Sequence, residues 1–138
     1  MEVREVMTRN PRTVAPNDSI QRAASVMKEV DTGFVPIVEN GQVVGVVTDR
    51  DIVIRAVATG SYDKPVSEIA TRDIAFVAPG DSVGVAEKLM SERQIRRIAV
   101  VENGRLVGIV SLGDIAVKEG KDSRTGDVLE NISEGVKH

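Results

Sequence analysis

Two short segments of this 138-residue chain hold the side chains best suited to chemistry: GVVTDRD, from Gly45 to Asp51, and GIVSLGD, from Gly108 to Asp114. Both fit one pattern of Gly, two apolar residues, Thr or Ser, two variable residues and Asp. The hydroxyl and the carboxylate, three residues apart, fall together on the first turn of a helix that follows a buried strand. Two readings stand side by side. Ser or Thr followed three residues later by an acid is how helices are ordinarily capped, and a carboxylate there complements the helix dipole. The same groups suit a nucleoside. Free N–H groups at a helix start bind anions, and a carboxylate accepts hydrogen bonds from both hydroxyls of a ribose, the use nucleotide-binding folds make of an acid. Gly45 and Gly108 weaken a strand interior and mark a place where another group approaches the backbone closely.

Other chemistries are poorly supplied. The chain has no Cys, and its single His, His138, is the last residue. There is thus no thiolate nucleophile, no disulfide framework and no clustered metal-ligand set, and an enzyme is the least supported reading. No apolar stretch approaches the ~20 residues a membrane span requires, and no signal sequence opens the chain, so a cytoplasmic protein without membrane contact is expected. A net charge of −3, one Tyr, two Phe and no Trp provide neither an attracting field nor a stacking platform for nucleic acid. With 41% hydrophobic and only 2% aromatic residues, the core must be aliphatic, and the 24 valines favour strands.

Sliding the sequence by 63 residues lays residues 3–53 on 66–116 without a gap. Val14, Ala15, Pro16, Asp18 and Ser19 match Val77, Ala78, Pro79, Asp81 and Ser82, and Val38-Glu39-Asn40-Gly41 matches Val101-Glu102-Asn103-Gly104. The chain is a tandem duplication of units of ~50 residues, each marginal alone. A first domain is expected over residues 1–57, a linker over 58–65, a second domain over 66–118 and a tail over 119–138. Within the first copy an extended piece at Arg12 to Ala15 precedes a helix capped by Asp18 and Gln21, with Ile20, Ala23, Ala24, Met27 and Val30 as its apolar stripe. Val83, Ala86 and Met90 repeat the stripe, and both methionines read as packing. Phe34 to Val38 and Val43 to Val47 form a hairpin about Asn40-Gly41, the dipeptide suited to a type I′ turn. A helix from about Asp49 to Val57 completes the order β-α-β-β-α, which occurs twice.

The tandem units, the two motif segments and the strand Phe34-Val35-Pro36-Ile37-Val38 resemble a pair of CBS domains, also called a Bateman module, over about Val3 to Lys118. The likeness is greatest to small stand-alone CBS-pair proteins with a "TDRDI" segment in the first repeat and "RR" before the last hairpin of the second. Ala99, where the family has Pro opposite Pro36, and Ser111, where Thr is commoner, depart from the pattern. The resemblance implies an α/β (α+β) fold of two units related by pseudo-two-fold symmetry. It also implies a regulatory module binding AMP, ADP, ATP or S-adenosylmethionine in clefts between the repeats, with no metal required. Asp51 and Asp114 would take ribose hydroxyls, and Thr48 and Ser111 would contact ribose or phosphate. Val46 and Ile109 would line the adenine pocket with the first strand of the opposite repeat, near Ile74 and Ala75 or near Pro11 and Arg12.

The resemblance further implies basic residues meeting phosphate just before the second strand of the opposite repeat. These are Arg96 and Arg97 in the second copy but Gly33 and Phe34 in the first, and Arg50 faces Gly113 across the repeat. The Asp51 cleft is therefore expected to take a phosphorylated nucleotide, its arginines suited to bidentate contact, and the Asp114 cleft to be empty or to take a less charged adenosyl ligand. Val128, Leu129, Ile132 and Val136 suggest a short tail helix over Asp127 to Val136. A homodimer and an effector protein complete the expected partners. The competing reading is an interaction scaffold that binds no ligand and whose motifs are only caps.

Overall fold

The structure, a computed structural model, describes residues 1–120. The expected tail helix and His138 lie outside the described residues. In chain order the elements are β1 (Thr8–Arg9), α1 (Ile20–Val30), β2 (Phe34–Glu39), β3 (Gln42–Thr48), α2 (Asp49–Asp51), β4 (Phe76–Val77), α3 (Val83–Arg93), β5 (Arg97–Glu102), β6 (Arg105–Ser111) and α4 (Leu112–Glu119). The mixed α and β composition and the duplicated order agree with the expectation from sequence.

The described residues form two compact units, and neither is a contiguous stretch: one comprises residues 12–74 with 104–106, the other residues 1–11, 75–103 and 107–120. In the first, α1 is capped by Ser19, whose hydroxyl accepts from the Arg22 N–H at 3.0 Å. This corrects the expected cap: Asp18 turns its carboxylate back to the Ala15 N–H, at 2.8 Å. The buried face of α1 is Ile20, Ala23, Val26 and Met27, while Ala24 and Val30 are exposed. Val26 takes their place because positions 20, 23, 26 and 27 close one side of a 3.6-residue helix more tightly.

That face packs on β2 and β3, an antiparallel pair running from Phe34↔Thr48 to Glu39↔Gln42. Asn40 at φ 54° and Gly41 at φ 78° supply the two left-handed residues of the tight turn. Val14 forms the expected extended piece, its N–H donating to the Pro36 carbonyl and its carbonyl accepting from Val38. Past β3 the expected single helix is three short turns: α2, a π-type stretch over Ile52–Ala56 and a 3-10 turn over Val57–Thr59. Three consecutive β-branched residues, Ile52, Val53 and Ile54, crowd a regular α-helical ladder there.

The segment Val66 to Thr71, which opens the second copy in sequence, packs into this first-copy unit. Val66 donates to the Asp18 carbonyl at 2.7 Å, and Val66 and Ile69 join the core of Val14, Ile20, Val35, Ile37 and Val47. The other unit repeats the arrangement. Val3 donates to the Asp81 carbonyl at 2.8 Å, β1 pairs with β6, and Val3 is buried with Val77, Met90, Ile98, Val110, Leu112 and Ile115. Val3 and Val66 are both fully buried, and each such valine stabilises its unit by about 1.5–3 kcal/mol. Each leading segment is thus a structural part of the unit built on the other copy.

Candidate functional site

Each motif occupies a strand-to-helix corner. In the first-copy unit, β3 brings Gly45, Val46 and Val47 into burial and releases the chain at Thr48, which is extended at φ −115° and ψ 163°. The Thr48 hydroxyl accepts from the Asp51 N–H at 3.1 Å, and the Asp51 carboxylate accepts from the Thr48 N–H at 3.0 Å. The capping reading of this motif is therefore realised in full. The Asp51 side chain is 12% exposed, and its other oxygen stands 4.0 Å from Nη1 of Arg55, one helical turn on. The same Nη1 donates to the Ile69 carbonyl at 3.1 Å.

The leading segment also lies along the motif strand. Val46 and Thr71 exchange both backbone hydrogen bonds, at 3.0 and 2.9 Å. A Cβ on Gly45 would stand 3.0 Å from the Thr71 carbonyl oxygen. The group that approaches this glycine is the chain's own backbone. Asp49 donates its N–H to the Gly33 carbonyl at 2.9 Å and rests its carboxylate where a Cβ on Gly33 would be. Phe34, half-buried, is paired with Thr48. Arg12 is exposed, its guanidinium on Glu29 at 2.9 Å, and Ile74 ends the longer stretch of this unit. Arg50 is exposed at the helix start.

The second corner differs in detail. The Ser111 hydroxyl accepts from the Asp114 N–H at 3.0 Å, but the Asp114 side chain accepts no hydrogen bond or ion pair among the described residues. Asp114 is exposed where Asp51 is largely covered. Leu112, at the position of Asp49, is buried in the core and donates its N–H to the Arg96 carbonyl at 2.8 Å. Arg96 and Arg97 therefore lie in the unit of Asp114, both exposed, with Pro11 and Ala75. Gly108 meets the Thr8 carbonyl, 2.8 Å from where its Cβ would stand, and Ile109 is paired with Thr8.

Reading from Arg12 onward misses the leading segments and, with them, Arg55. A signal was present, since Val3, Glu5, Thr8 and Arg9 recur as Val66, Glu68, Thr71 and Arg72. The first-copy unit also has an open recess of about 200 Å³, lined by residues including Ile37, Glu39, Val44 and Ala70 toward the hairpin tip. None of the residues from Gly45 to Asp51 lines it. Among the described residues no group of three or more His, Cys, Asp or Glu is placed to hold a metal ion, and no helix is long and apolar enough to cross a membrane.

Duplicated hairpins, each ending in a hydroxyl–carboxylate corner, define a tandem-repeat module. The family model for the CBS domain matches residues 3–57 and 66–118, and the chain belongs to the CBS-domain family. It is 43% identical over 132 residues to the CBS domain-containing protein YhcV of Bacillus subtilis, covering 95% of this chain and 94% of that one. The CBS domain pair of protein MJ0100, solved with 5′-methylthioadenosine and S-adenosyl-L-methionine, superposes with a TM-score of 0.80 at 31% identity, covering 88% of this chain and 98% of that one. CBSX2 in complex with AMP gives 0.76 at 25% identity, covering 86% and 95%. Hypoxic Response Protein I, whose structure holds two coordinated zinc ions, gives 0.79 at 34% identity, covering 85% and 98%.

Proposed function

We propose that this chain is a non-catalytic regulatory module that senses an adenosine-containing ligand, AMP, ADP, ATP or S-adenosylmethionine, and that Asp51 and Asp114 receive the ribose hydroxyls. The observation that carries this reading is the pair of corners, Thr48 with Asp51 and Ser111 with Asp114, each set beside a valine- or isoleucine-lined strand. A carboxylate has about four acceptor positions. Capping uses one at Asp51, so the capping and binding readings are compatible. The adenosyl ligands held by the MJ0100 pair and by CBSX2 support this class of ligand. In this reading Asp51 serves a phosphorylated nucleotide, Arg96 and Arg97 meet its phosphates, and Asp114 takes a less charged adenosyl ligand. The module acts in the cytoplasm as a homodimer that reports to an effector protein and requires no metal.

The second reading, a scaffold that binds no ligand, is favoured by one observation: Val53, Ile54 and Val57 expose about half their surface on the turns after the first motif, as a contact face would. Thermal denaturation with AMP and with S-adenosylmethionine separates the two. A ligand at a hundredfold its Kd stabilises the folded chain by about 2.7 kcal/mol. No shift with any adenosyl ligand would leave the scaffold. Light scattering measures the dimer directly.

A further inference from the structure

We infer that Arg55, which lies outside the repeated motif, is the positioning residue that prepares the Asp51 carboxylate for its ligand. The inference rests on the ligand-sensing reading above and names a residue and an inequality that the motif does not contain. The guanidinium of Arg55 is held from one side by the Ile69 carbonyl at 3.1 Å. That carbonyl belongs to the leading segment, itself fixed by the Val46–Thr71 pair and by burial of Val66 and Ile69. From this support the same Nη1 faces the Asp51 carboxylate at 4.0 Å, while Thr48 holds the opposite oxygen at 3.0 Å. One oxygen is fixed by a hydrogen bond and the other faces the cation before any ligand arrives, and their remaining lone pairs are left for two hydroxyls.

The second copy repeats the cap and the paired leading segment but has no guanidinium between them. Residue 118 is Lys where residue 55 is Arg, and among the described residues Lys118 makes no hydrogen bond or ion pair. Among the described residues the Asp114 side chain accepts nothing, and it is exposed. Arginine's planar guanidinium is held in place by its carbonyl partner, whereas lysine's compact ammonium sits on a flexible stem. A side chain already held in its bound geometry loses less freedom on binding, so the Asp51 site is the tighter of the two.

Titration calorimetry of the full chain with AMP tests this, using Asp51→Ala and Asp114→Ala to assign each binding step. Arg55→Gln is expected to weaken AMP binding at Asp51 roughly tenfold, the scale on which outer partners of a ligating residue act, and to leave the Asp114 step unchanged. Arg55→Lys should recover part of the loss. Lys118→Arg should tighten the Asp114 step, a gain that a merely structural role for Arg55 does not predict. If Asp51→Ala abolishes a step that Arg55→Gln and Arg55→Lys leave intact, the positioning role is overturned while the ligand-sensing reading survives. If Asp51→Ala changes nothing, the ligand reading itself fails, and the role of Arg55 fails with it.

Discussion

The Thr8 carbonyl oxygen lies 2.8 Å from where a Cβ on Gly108 would stand, and Thr71 repeats the approach to Gly45 at 3.0 Å. In both units a leading segment presses on the motif strand at the one position without a side chain. Gly108→Ala and Gly45→Ala must push backbone away and are expected to cost about 1–3 kcal/mol, the range of overpacking substitutions, with Gly108→Ala the worse. Gly33→Ala is the control. Its new methyl meets only the end of the Asp49 side chain, which can swing aside, so its midpoint in urea should stay near that of the parent.

Asp51→Ala and Asp114→Ala should differ in stability as well as in binding. Asp51 accepts the Thr48 N–H, so its removal opens one arm of a capping box and costs about 0.5–2 kcal/mol. The Asp114 carboxylate is without a partner among the described residues, and its loss should fall within about 0.5 kcal/mol of the parent, as for other surface changes. Urea titrations of the unliganded variants measure both.

The buried leading segments make a third prediction. Val3→Ala and Val66→Ala each remove a fully buried side chain and should destabilise by about 2 kcal/mol, as for other buried aliphatic groups. Hydrogen exchange locates the damage. Val3→Ala should loosen amides of α3, β5 and β6, in the second-copy sequence, and Val66→Ala those of α1 and β2, in the first. Loosening within each valine's own copy instead would contradict the exchange of segments.

Helix capping separates the copies more finely. The Ser19 hydroxyl stands 3.0 Å from the Arg22 nitrogen, whereas Ser82 is 3.4 Å from that of Val85. Ser19→Ala is expected to cost about 1 kcal/mol and Ser82→Ala less, as a longer and weaker cap should. Thermal melts of the two variants side by side would show the order.

Much of this architecture is legible without coordinates because its signals are local. Asn40-Gly41 fixes a turn with two left-handed residues, and Thr48 to Asp51 forms the box that its spacing describes. The cap of α1 is Ser19, one residue past the expected Asp18, since both are good caps and only the turn at Ala15 decides which faces the helix. The leading segments are a different matter. Val66 to Thr71 looks like the start of its own copy, and nothing local in those residues says that their hydrogen bonds go to Asp18 and Val46. The role of Arg55 is not local either. Its partner Ile69 is fourteen residues away, and Lys118 at the matching place makes the position look like an ordinary surface cation.

The crossing of the leading segments also speaks to ancestry. A chain with one copy would fold into a unit missing its own first segment, and its free segment would fit only another molecule. Two such chains could complete each other by a domain swap. Fusing the copies turns that encounter into an intramolecular one, at an effective concentration on the order of millimolar for a short linker. Carrying both copies in one chain thus makes the completion of each unit independent of protein concentration.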